Sequence, residues 1–325
     1  MQTTSLQGYT FIDLFAGIGG FHLALSSLGA TCKFAAEWDE KCQITYETNF
    51  GIKPAGDLTK IDVAAIPMHD ILCAGFPCQA FSISGRQKGF EDTRGTLFFD
   101  VARIIEAKKP KVVFLENVRN LIRHDKGNTL KVITKTLDNL GYDVSYKLLN
   151  ARNFSLAQNR ERIYIVAIKK ELDLNFEFPN ELNQKVALED FLLNSPKDGK
   201  IIERDDIRFY KELKDFDQLK RDQLPNKPIQ IGRVNKGGQG ERIYHPKGHA
   251  ITLSAYGGGV GSRTGLYLIN GKVRKLSPRE CARLQGFPDS FIITSKMTNA
   301  YQQFGNSVAV NVIREVAKSI AKTIY

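Results

Sequence analysis

The 325-residue chain has no apolar stretch of the ~18–20 residues that cross a bilayer, so we expect no association with a membrane. Its first five residues lack the basic and then apolar pattern of a signal peptide, and export by that route is not expected. Cysteine is scarce and odd in number, at five, which argues against a disulfide framework. These three absences together predict a cytoplasmic protein.

Signatures of metal and dinucleotide sites are also missing. His245 and His249 have a spacing found in zinc sites, but no Cys-x-x-Cys pair accompanies them, so we predict that no metal is needed. The glycine-rich stretch at residues 13–20 reads Asp-Leu-Phe-Ala-Gly-Ile-Gly-Gly. Because this spacing is not Gly-x-Gly-x-x-Gly, a dinucleotide is not specifically indicated and a dehydrogenase is a distant alternative.

Acidic residues are nearly absent from one basic segment, residues 226–285. Two glutamates stand there against eleven lysines and arginines, so the segment holds nine of the chain's eleven net positive charges. Such a concentration is what a local phosphate-binding face requires. The alternative is a basic surface that only aids solubility.

The first 170 residues alternate short apolar runs with helical patterns. Strands are predicted at 11–14, 32–36, 71–74, 112–115, 144–148 and 163–168. Helices are predicted near 21–28, 97–105 and 130–140, where apolar residues recur at helical spacing. This alternation predicts an α/β fold with a doubly wound, mostly parallel sheet.

The pattern changes near residue 191, where polar residues and later clustered glycines predict a smaller, loop-rich β domain. We therefore assign residues 1–190 and 292–325 to a first domain and residues 191–291, with the hinge, to a second. Ser277, Pro278 and Glu280 occupy the N-cap, N1 and N3 positions of a predicted helix. A last amphipathic helix is predicted after Asn306.

Ligands of open α/β sheets bind beyond the carboxyl ends of the strands, and the polar signals of this chain lie there. Glu37 ends the second strand, where an acid accepts hydrogen bonds from ribose hydroxyls. Trp38, the single tryptophan, is placed to pack beside an adenine. A plain tight turn at the glycines, and an exposed acid beside a core aromatic, are the competing interpretations.

Cys78 is the candidate nucleophile, because it follows a strand end and the rigid Pro77 and precedes a polar, glycine-containing segment. The next strand ends in Glu116, a carboxylate that is costly to desolvate without a task or a partner. If the two strands are neighbours, Cys78 and Glu116 face one pocket. Arg160 and Arg162 add guanidiniums that could orient Glu116 or grip a phosphate.

Six motifs occur in one order along essentially the whole chain. They are Asp-Leu-Phe-Ala-Gly-x-Gly-Gly, Gly-Phe-Pro-Cys, Glu-Asn-Val, Gln-x-Arg-x-Arg, Arg-Glu-Cys-Ala-Arg-Leu-Gln-Gly-Phe-Pro and Gly-Asn-Ser-Val. Each alone is weak evidence, but in this order they resemble the DNA cytosine-5 methyltransferases. Likeness to a bacterial modification methylase extends to residues 237–244 and 251–259.

The resemblance implies a Rossmann-like fold that uses S-adenosylmethionine and yields S-adenosylhomocysteine. It implies that Cys78 attacks carbon 6 of a cytosine flipped out of the duplex, and that Glu116 stabilises ring N3. Arg162 would hold Glu116, and Arg160 completes the implied catalytic set.

Two further sets of residues are carried over from the resemblance. Cofactor contacts fall on Phe15, Ile18, Gly20, Glu37, Trp38, Asp57, Leu58, Pro77, Asn306 and Ser307. DNA contacts fall on Ser84, Arg86, Arg94, Gln239, Arg242, Thr252 and Tyr256. Within this second set Gln239 fills the space of the flipped base and Arg242 reads a guanine edge. The relative has Lys where Arg86 stands, which puts that contact in doubt.

The expected partner is double-stranded DNA, bound by a monomer, with a short GC-rich palindrome such as GCGC as target. Two alternatives stay open. One is a tRNA cytosine-5 methyltransferase on the same fold, and the other is a non-catalytic DNA-binding protein.

Overall fold

The computed structural model describes residues 4–77, 97–182, 184–196, 198–210, 216 and 218–325. They form two compact units. The first comprises the described residues of Met1–Leu149, Glu161–Pro179 and Ile313–Tyr325, and the second those of Asn150–Arg160 and Asn180–Val312.

A six-stranded sheet forms the centre of the first unit. Its strands are β1 (Thr10–Leu14), β2 (Thr31–Ala36), β3 (Ile71–Ala74), β4 (Val112–Val118), β5 (Tyr142–Asn150) and β6 (Glu161–Lys169). They lie in the order β2-β1-β3-β4-β6-β5, with β1 to β4 parallel and β6 antiparallel to β4. The α/β prediction is confirmed, with a mixed sheet; the doubly wound arrangement stays a prediction.

The central strands are buried along their length, which explains why they read as continuous apolar runs. All of β3, and β4 as far as Asn117, is buried. Alternate side chains of β1, β3 and β4 enter one large core with residues of two helices. The members that show this are Ile12, Leu14, Leu72, Val113, Leu115, Val101, Ile105, Ile133 and Leu137.

Helices of the first unit are α1 (Gly20–Ser26), α2 (Glu40–Phe50), α3 (Leu97–Lys108) and α4 (Asn128–Asn139). The predictions of α1, α3 and α4 are confirmed, while α2 was missed. Asp39 caps α2 by accepting a hydrogen bond from the Lys41 N–H, and Gly51 ends it in the left-handed conformation.

The second unit contains a five-stranded sheet of short strands. These are β7 (Arg208–Phe209), β8 (Ile229–Arg233), β9 (Arg242–His245), β10 (Leu266–Ile269) and β11 (Lys272–Arg274), in the order β11-β10-β9-β8-β7. Helices α5 (Pro278–Leu284) and α6 (Met297–Asn306) follow, and α7 (Val310–Ile324) runs from this unit into the first. The functional domain boundaries stay a prediction, because compactness alone groups α6 with the second unit.

Helix α5 begins as its sequence predicted. Ser277 accepts a hydrogen bond from the Glu280 N–H, the Glu280 carboxylate accepts from the Ser277 N–H, and Pro278 occupies the first turn. Among the described residues, no helix combines the length and apolar character needed to cross a membrane.

Candidate functional site

Three of the parallel strands of the first unit, β1, β2 and β3, end in one row, and Leu115 of β4 lies in the same row. Leu14 is in register with Ala36 on one side and with Ala74 on the other, and Ala74 is in register with Leu115. The residues that follow this row are Phe15, Glu37, Gly75 and Glu116. The condition set by the sequence, that β3 and β4 are neighbours, is therefore met.

Glu116 and Arg162 form an ion pair near the end of β4, with 3.3 Å between Arg162 Nε and Glu116 Oε1. Arg162 lies opposite Val118 in the antiparallel ladder, so Glu116 is its diagonal neighbour on the same face. Both side chains are largely buried, 10% exposed for the glutamate and 15% for the arginine. The pair can hold a carboxyl group at a defined place above the sheet edge.

Asn117 connects this edge to the segment that leads to Cys78. Its side-chain amide donates to the backbone carbonyl of Phe76 at 2.8 Å, and its Oδ1 accepts from the Val118 N–H at 2.9 Å. A role was predicted only for the glutamate of the Glu-Asn-Val motif, although the amide side chain beside it was the signal for this contact. Cys78 itself lies outside the described residues.

Glu37 holds the glycine turn through its carboxylate. One oxygen accepts from the Gly17 N–H at 2.8 Å and the other from the Asp39 N–H at 2.9 Å. Burial raises the pKa of Glu37, while these two backbone hydrogen bonds act in the opposite direction. Each oxygen keeps a second lone pair for a ligand hydroxyl.

Glycine is required at two positions of the turn for different reasons. Gly17 has φ +54° and a Cβ there would meet nothing within 4 Å, so the backbone is open at this point. Gly19 has φ +86°, and a Cβ there would lie 2.1 Å from the Phe50 ring. At Gly19, therefore, the group that lies close to the backbone is the protein's own Phe50 ring. Phe15 also has a positive φ, 54°, which is unusual for an aromatic residue.

Other predicted cofactor residues of the first unit differ in exposure. Trp38 is 73% exposed, so its indole is open to a ligand, whereas Ile18 is only 1% exposed. Hydrogen bonds from the Thr59 hydroxyl and N–H lower the pKa of Asp57, which caps a short turn. Leu58 is buried, Pro77 is exposed, and Gly20 begins α1.

Arg160 makes several hydrogen bonds to backbone carbonyls. The sequence placed it beside Arg162 as a catalytic residue, but its guanidinium donates to the carbonyls of Leu253, Gly305 and Ser307, all in the second unit. Arg162, two residues later and inside β6, is the one that pairs with Glu116. Arg160 is 2% exposed, and its assignment to the catalytic set stays a prediction.

Two glycine loops of the second unit pack backbone to backbone. Gly261 donates its N–H to the Gly240 carbonyl at 2.7 Å, and a Cβ on Gly240 would lie 2.4 Å from the Gly258 carbonyl oxygen. The loops carry Gln239 and Tyr256, both exposed. The structure therefore brings these two predicted DNA contacts to adjacent loops.

The remaining predicted DNA contacts among the described residues are Arg242 and Thr252, and their side chains, like that of Tyr256, form hydrogen bonds within the protein. Arg242 is exposed, and its Nε donates to the Gly237 carbonyl at 3.3 Å. Thr252 donates its hydroxyl to the Asn159 carbonyl, and the Tyr256 hydroxyl accepts from the Gln302 amide at 3.1 Å. Ser84, Arg86 and Arg94 lie outside the described residues.

Part of the basic segment is structural. Arg274 makes two hydrogen bonds to the fully buried Glu280, at 2.7 and 2.8 Å, and Lys275 is buried over the Tyr301 ring. Arg283 pairs with Asp289. The count of eleven cations therefore overstates the charge available for phosphates, because burial and pairing remove some of it.

The two histidines with zinc-like spacing have other contacts. His249 Nε2 lies 3.0 Å from the Val186 carbonyl oxygen, and His245 Nδ1 accepts from the Lys247 N–H at 3.1 Å. Within the part of the chain that the structure describes, no three His, Cys, Asp or Glu side chains are grouped to hold a metal ion.

Known proteins resemble this chain in sequence and in fold. The family model described as C-5 cytosine-specific DNA methylase matches residues 9–322. The chain belongs to this family. The methylase is 52% identical to the type II methyltransferase M.HhaI of Haemophilus parahaemolyticus, over 100% of this chain and 98% of the relative. It is 45% identical to M.HpaII of Haemophilus parainfluenzae, over 97% and 90% of the two chains.

Solved structures support the fold of the methylase. The Entamoeba histolytica methyltransferase EhMeth matches with a TM-score of 0.71 at 19% identity, covering 96% of this chain and 97% of that one. The S. pombe Dnmt2 methyltransferase matches with a TM-score of 0.68 at 20% identity, covering 95% and 97%. At these identities the likeness concerns the fold alone.

Proposed function

We propose that this methylase is a type II DNA cytosine-5 methyltransferase of a restriction-modification system. It transfers a methyl group from S-adenosylmethionine to carbon 5 of a cytosine flipped out of duplex DNA, through a covalent adduct with Cys78. The proposed target is a short GC-rich palindrome, with GCGC as first choice, because the likeness to a bacterial modification methylase extends into residues 237–244 and 251–259.

The Glu116–Arg162 pair is the observation that carries the proposal. Glu116 lies one position beyond Leu115, the residue in register with the end of β3, and β3 leads towards Cys78 in the sequence. The Asn117 amide fixes the Phe76 carbonyl, two residues before Cys78, to the same strand end. A nucleophile and an acid on adjacent strand ends are what attack on a polarised ring requires.

Residues at the glycine turn fit S-adenosylmethionine. The open backbone at Gly17 gives room, the Glu37 carboxylate has acceptor capacity for ribose hydroxyls, and the exposed Trp38 indole offers a stacking face for adenine. When bound, the cofactor supplies an electrophilic sulfonium methyl group. Asn306 and Ser307 are proposed as its contacts from the second unit.

Cys78 begins the reaction as its thiolate, which forms a bond from sulfur to carbon 6 of cytosine. The electron pair of the carbon 5–carbon 6 double bond then makes carbon 5 nucleophilic, and Glu116 stabilises ring N3 as charge develops. Arg162 keeps the Glu116 carboxyl aimed at that nitrogen. After methyl transfer to carbon 5, loss of the carbon-5 proton and breakage of the sulfur–carbon bond restore the ring.

Expression in a host that lacks cytosine methylation, followed by bisulfite sequencing of its plasmid, tests the proposal. We expect protection at one short palindrome, at one cytosine of each strand. Cys78→Ser should abolish protection while the purified variant still binds duplex DNA and S-adenosylhomocysteine. Protection that persists in Cys78→Ser would exclude the covalent mechanism.

The same preparation separates the alternatives. Methyl transfer to tRNA transcripts but not to duplex DNA would favour the tRNA methyltransferase. Duplex binding without methylation of either nucleic acid would favour a non-catalytic DNA-binding protein.

A further inference from the structure

Three buried polar side chains form a cluster in the second unit that the proposed chemistry does not use. They are Gln158, Arg160 and Gln285, which are 0%, 2% and 0% exposed. Buried polar groups stabilise a structure only when they are hydrogen-bonded, so the atoms they bind show what the cluster holds in place. We name these three residues the buried polar cluster.

Arg160 joins two segments with different proposed ligands. Its Nη1 donates to the Leu253 carbonyl at 3.2 Å, and Leu253 follows Thr252 on the loop proposed to contact DNA. Its Nη2 donates to the carbonyls of Gly305 at 3.2 Å and Ser307 at 2.7 Å, on either side of Asn306. One rigid guanidinium fork therefore spans the proposed DNA loop and the proposed cofactor turn.

The two glutamines repeat this connection. Gln158 accepts from the Leu253 N–H at 3.1 Å and donates to the Leu284 carbonyl at 3.0 Å. Gln285 donates to the Phe304 carbonyl at 2.6 Å, and its own Oε1 lies 3.3 Å from Gln158 Nε2. Leu253 is thus held from its N–H and from its carbonyl, by two members of the buried polar cluster.

Direct backbone packing adds a steric constraint. A Cβ on Gly305 would lie 2.3 Å from the Ser254 carbonyl carbon and 2.4 Å from the Ala255 nitrogen. Real Cβ atoms do not approach backbone this closely, so any side chain at Gly305 must displace the loop. A shift of the cofactor turn is therefore transmitted to the DNA loop by contact as well as by hydrogen bonds.

We propose that Arg160 is a positioning residue that couples cofactor binding at Asn306 and Ser307 to DNA binding by the loop from Thr252 to Tyr256. The inference rests on the proposed function, because that function assigns the two ligands. A ligand that orders one of the two segments also orders the backbone carbonyls in it that Arg160 binds. Because the same guanidinium binds carbonyls of the other segment, that segment is already in place when its own ligand arrives. Such coupling is reciprocal: each ligand raises the affinity for the other by the same factor.

Isothermal titration of the full chain with S-adenosylhomocysteine, with and without a duplex containing the methylated site, measures this factor. We expect about a tenfold or greater gain in cofactor affinity with DNA for the natural sequence. Arg160→Lys keeps the charge but loses the planar fork, and should reduce the gain to about threefold or less. Arg152→Lys is the matched control, because Arg152 donates to a single carbonyl, that of Asn226 at 3.0 Å, and should keep the full gain.

Gly305→Ala provides a second test. Its added methyl group disturbs the contact between the cofactor turn and the DNA loop without removing a hydrogen-bond donor. It should also reduce the gain, and it decides the matter if Arg160→Lys fails to fold. The proposal would be overturned if the variants weakened cofactor binding alone and DNA binding alone equally but left the gain in cofactor affinity with DNA unchanged. Arg160 would then have a structural role only. A natural chain without any gain would overturn it as well.

A methylation assay on the same protein distinguishes failure of the coupling from failure of the proposed function. A natural chain that methylates DNA but shows no gain refutes the coupling alone. A chain that neither methylates DNA nor binds S-adenosylhomocysteine refutes the proposed function, and with it the coupling.

Discussion

The two units each contain a buried pair of glutamate and arginine, and the two pairs differ in construction. In the first unit Arg162 meets Glu116 at 3.3 Å, longer than the 2.7–2.9 Å common for charge-assisted hydrogen bonds. In the second unit Arg274 binds Glu280 through two bonds, at 2.7 and 2.8 Å. Glu280 also accepts from the backbone N–H groups of Leu193 and Ser277, at 2.9 and 2.7 Å.

We expect this difference to separate a carboxylate that takes part in the proposed reaction from one that supports the fold. Burial alone would raise the pKa of Glu280, but the hydrogen bonds from Arg274, Leu193 and Ser277 lower it and keep the side chain ionised. All of its acceptor capacity serves α5 and the chain around it. Glu116 lies in β4 one position beyond the row formed by Leu14, Ala36, Ala74 and Leu115, and its contact with Arg162 is longer; it is the carboxylate proposed to meet a substrate ring.

The largest expected effect is on catalysis by Glu116→Gln. The amide keeps the shape of the carboxyl group beside Arg162 but cannot supply a proton at ring N3, so methylation should slow by about 10²–10⁴-fold. The free energy of unfolding should change by about 1 kcal/mol or less. Single-turnover methylation of a radiolabelled duplex and denaturant unfolding measure the two quantities.

Glu161→Gln is the control for this variant, because Glu161 begins the same strand as Arg162 and pairs with the exposed Arg119. It should methylate at the natural rate. If Glu116→Gln instead lowers the free energy of unfolding by several kcal/mol, and the protein that remains folded keeps its single-turnover rate, the functional and structural pairs have been assigned the wrong way round.

Breaking the second pair should act on stability. Arg274→Met leaves the fully buried Glu280 charge without its guanidinium, and should lower the free energy of unfolding by about 3–5 kcal/mol. Arg283→Met removes a pair to Asp289 that is largely solvent-exposed, and should cost about 1 kcal/mol or less. Denaturant unfolding of the two variants side by side gives the difference, and equal losses would show that burial of the pair is unimportant.

A third contrast lies within the basic segment, between its buried and exposed cations. Neutralising the exposed Arg233, Lys236 and Arg242 together should weaken DNA binding and reduce the slope of log affinity against log salt by about 2–3 units. Fluorescence anisotropy over a series of salt concentrations measures both quantities.

The matched control neutralises three exposed lysines of the first unit, Lys131, Lys135 and Lys147. It removes the same charge, so it should leave the slope unchanged if the DNA face lies in the basic segment. Equal effects of the two triple variants would mean that net charge, rather than a local face, attracts DNA.

The smallest effect is expected at a third buried carboxyl, that of Asp13, which is fully buried in β1. Burial raises its pKa well above the ordinary value, against a smaller effect of the His22 backbone N–H. A raised acid pKa gives stability that is complete below about pH 4 and falls as pH rises towards the folded value. Asp13→Asn does not titrate, so its melting temperature relative to the natural chain should increase from pH 5 to pH 8, by about 2 °C or more.

A constant difference in melting temperature over that range would show that Asp13 keeps an ordinary pKa. Differential scanning calorimetry at several pH values makes the comparison. A second buried group adds an opposite trend in both proteins: burial lowers the pKa of His22 to about 4, so acid destabilises them alike between about pH 6.5 and 4.

Sequence patterns predicted the middle of the sheet well because β1, β3 and β4 are buried along nearly their whole length. The predicted bounds of β3 agree with the structure, and those of β1 and β2 differ by one residue. Burial of long apolar runs leaves little freedom in where such a strand begins and ends. The register that aligns Leu14, Ala36, Ala74 and Leu115 was not predictable, since it depends on pairing between distant segments.

Two helices were missed, for different reasons. Helix α2 buries only Thr45 and Tyr46, so its sequence, rich in Lys, Gln, Thr and Asn, shows little helical periodicity. Helix α6 ends in Gly305 and Asn306, residues that normally interrupt helices, and the glycine is explained only by the Ser254 backbone beside it. Tertiary contact overrode local preference there.

The roles of individual arginines were the least predictable part of the site. Arg160 and Arg162 are two residues apart in one motif, yet one binds backbone carbonyls and the other a carboxylate. Arg274 was counted with the phosphate-binding charges because nothing in its neighbourhood indicated burial. A side chain with five donors takes whichever acceptors the fold brings to it, and only the structure identifies them.

Trp38 gives the protein an internal optical probe. It is the single tryptophan of the chain, it is 73% exposed, and it stands at the end of β2 beside Glu37. Intrinsic emission excited at the indole band therefore comes from one position, in a water-like environment. A ligand that stacks on this ring changes the emission without any label, so occupancy of the glycine-turn region can be followed in real time with the natural sequence.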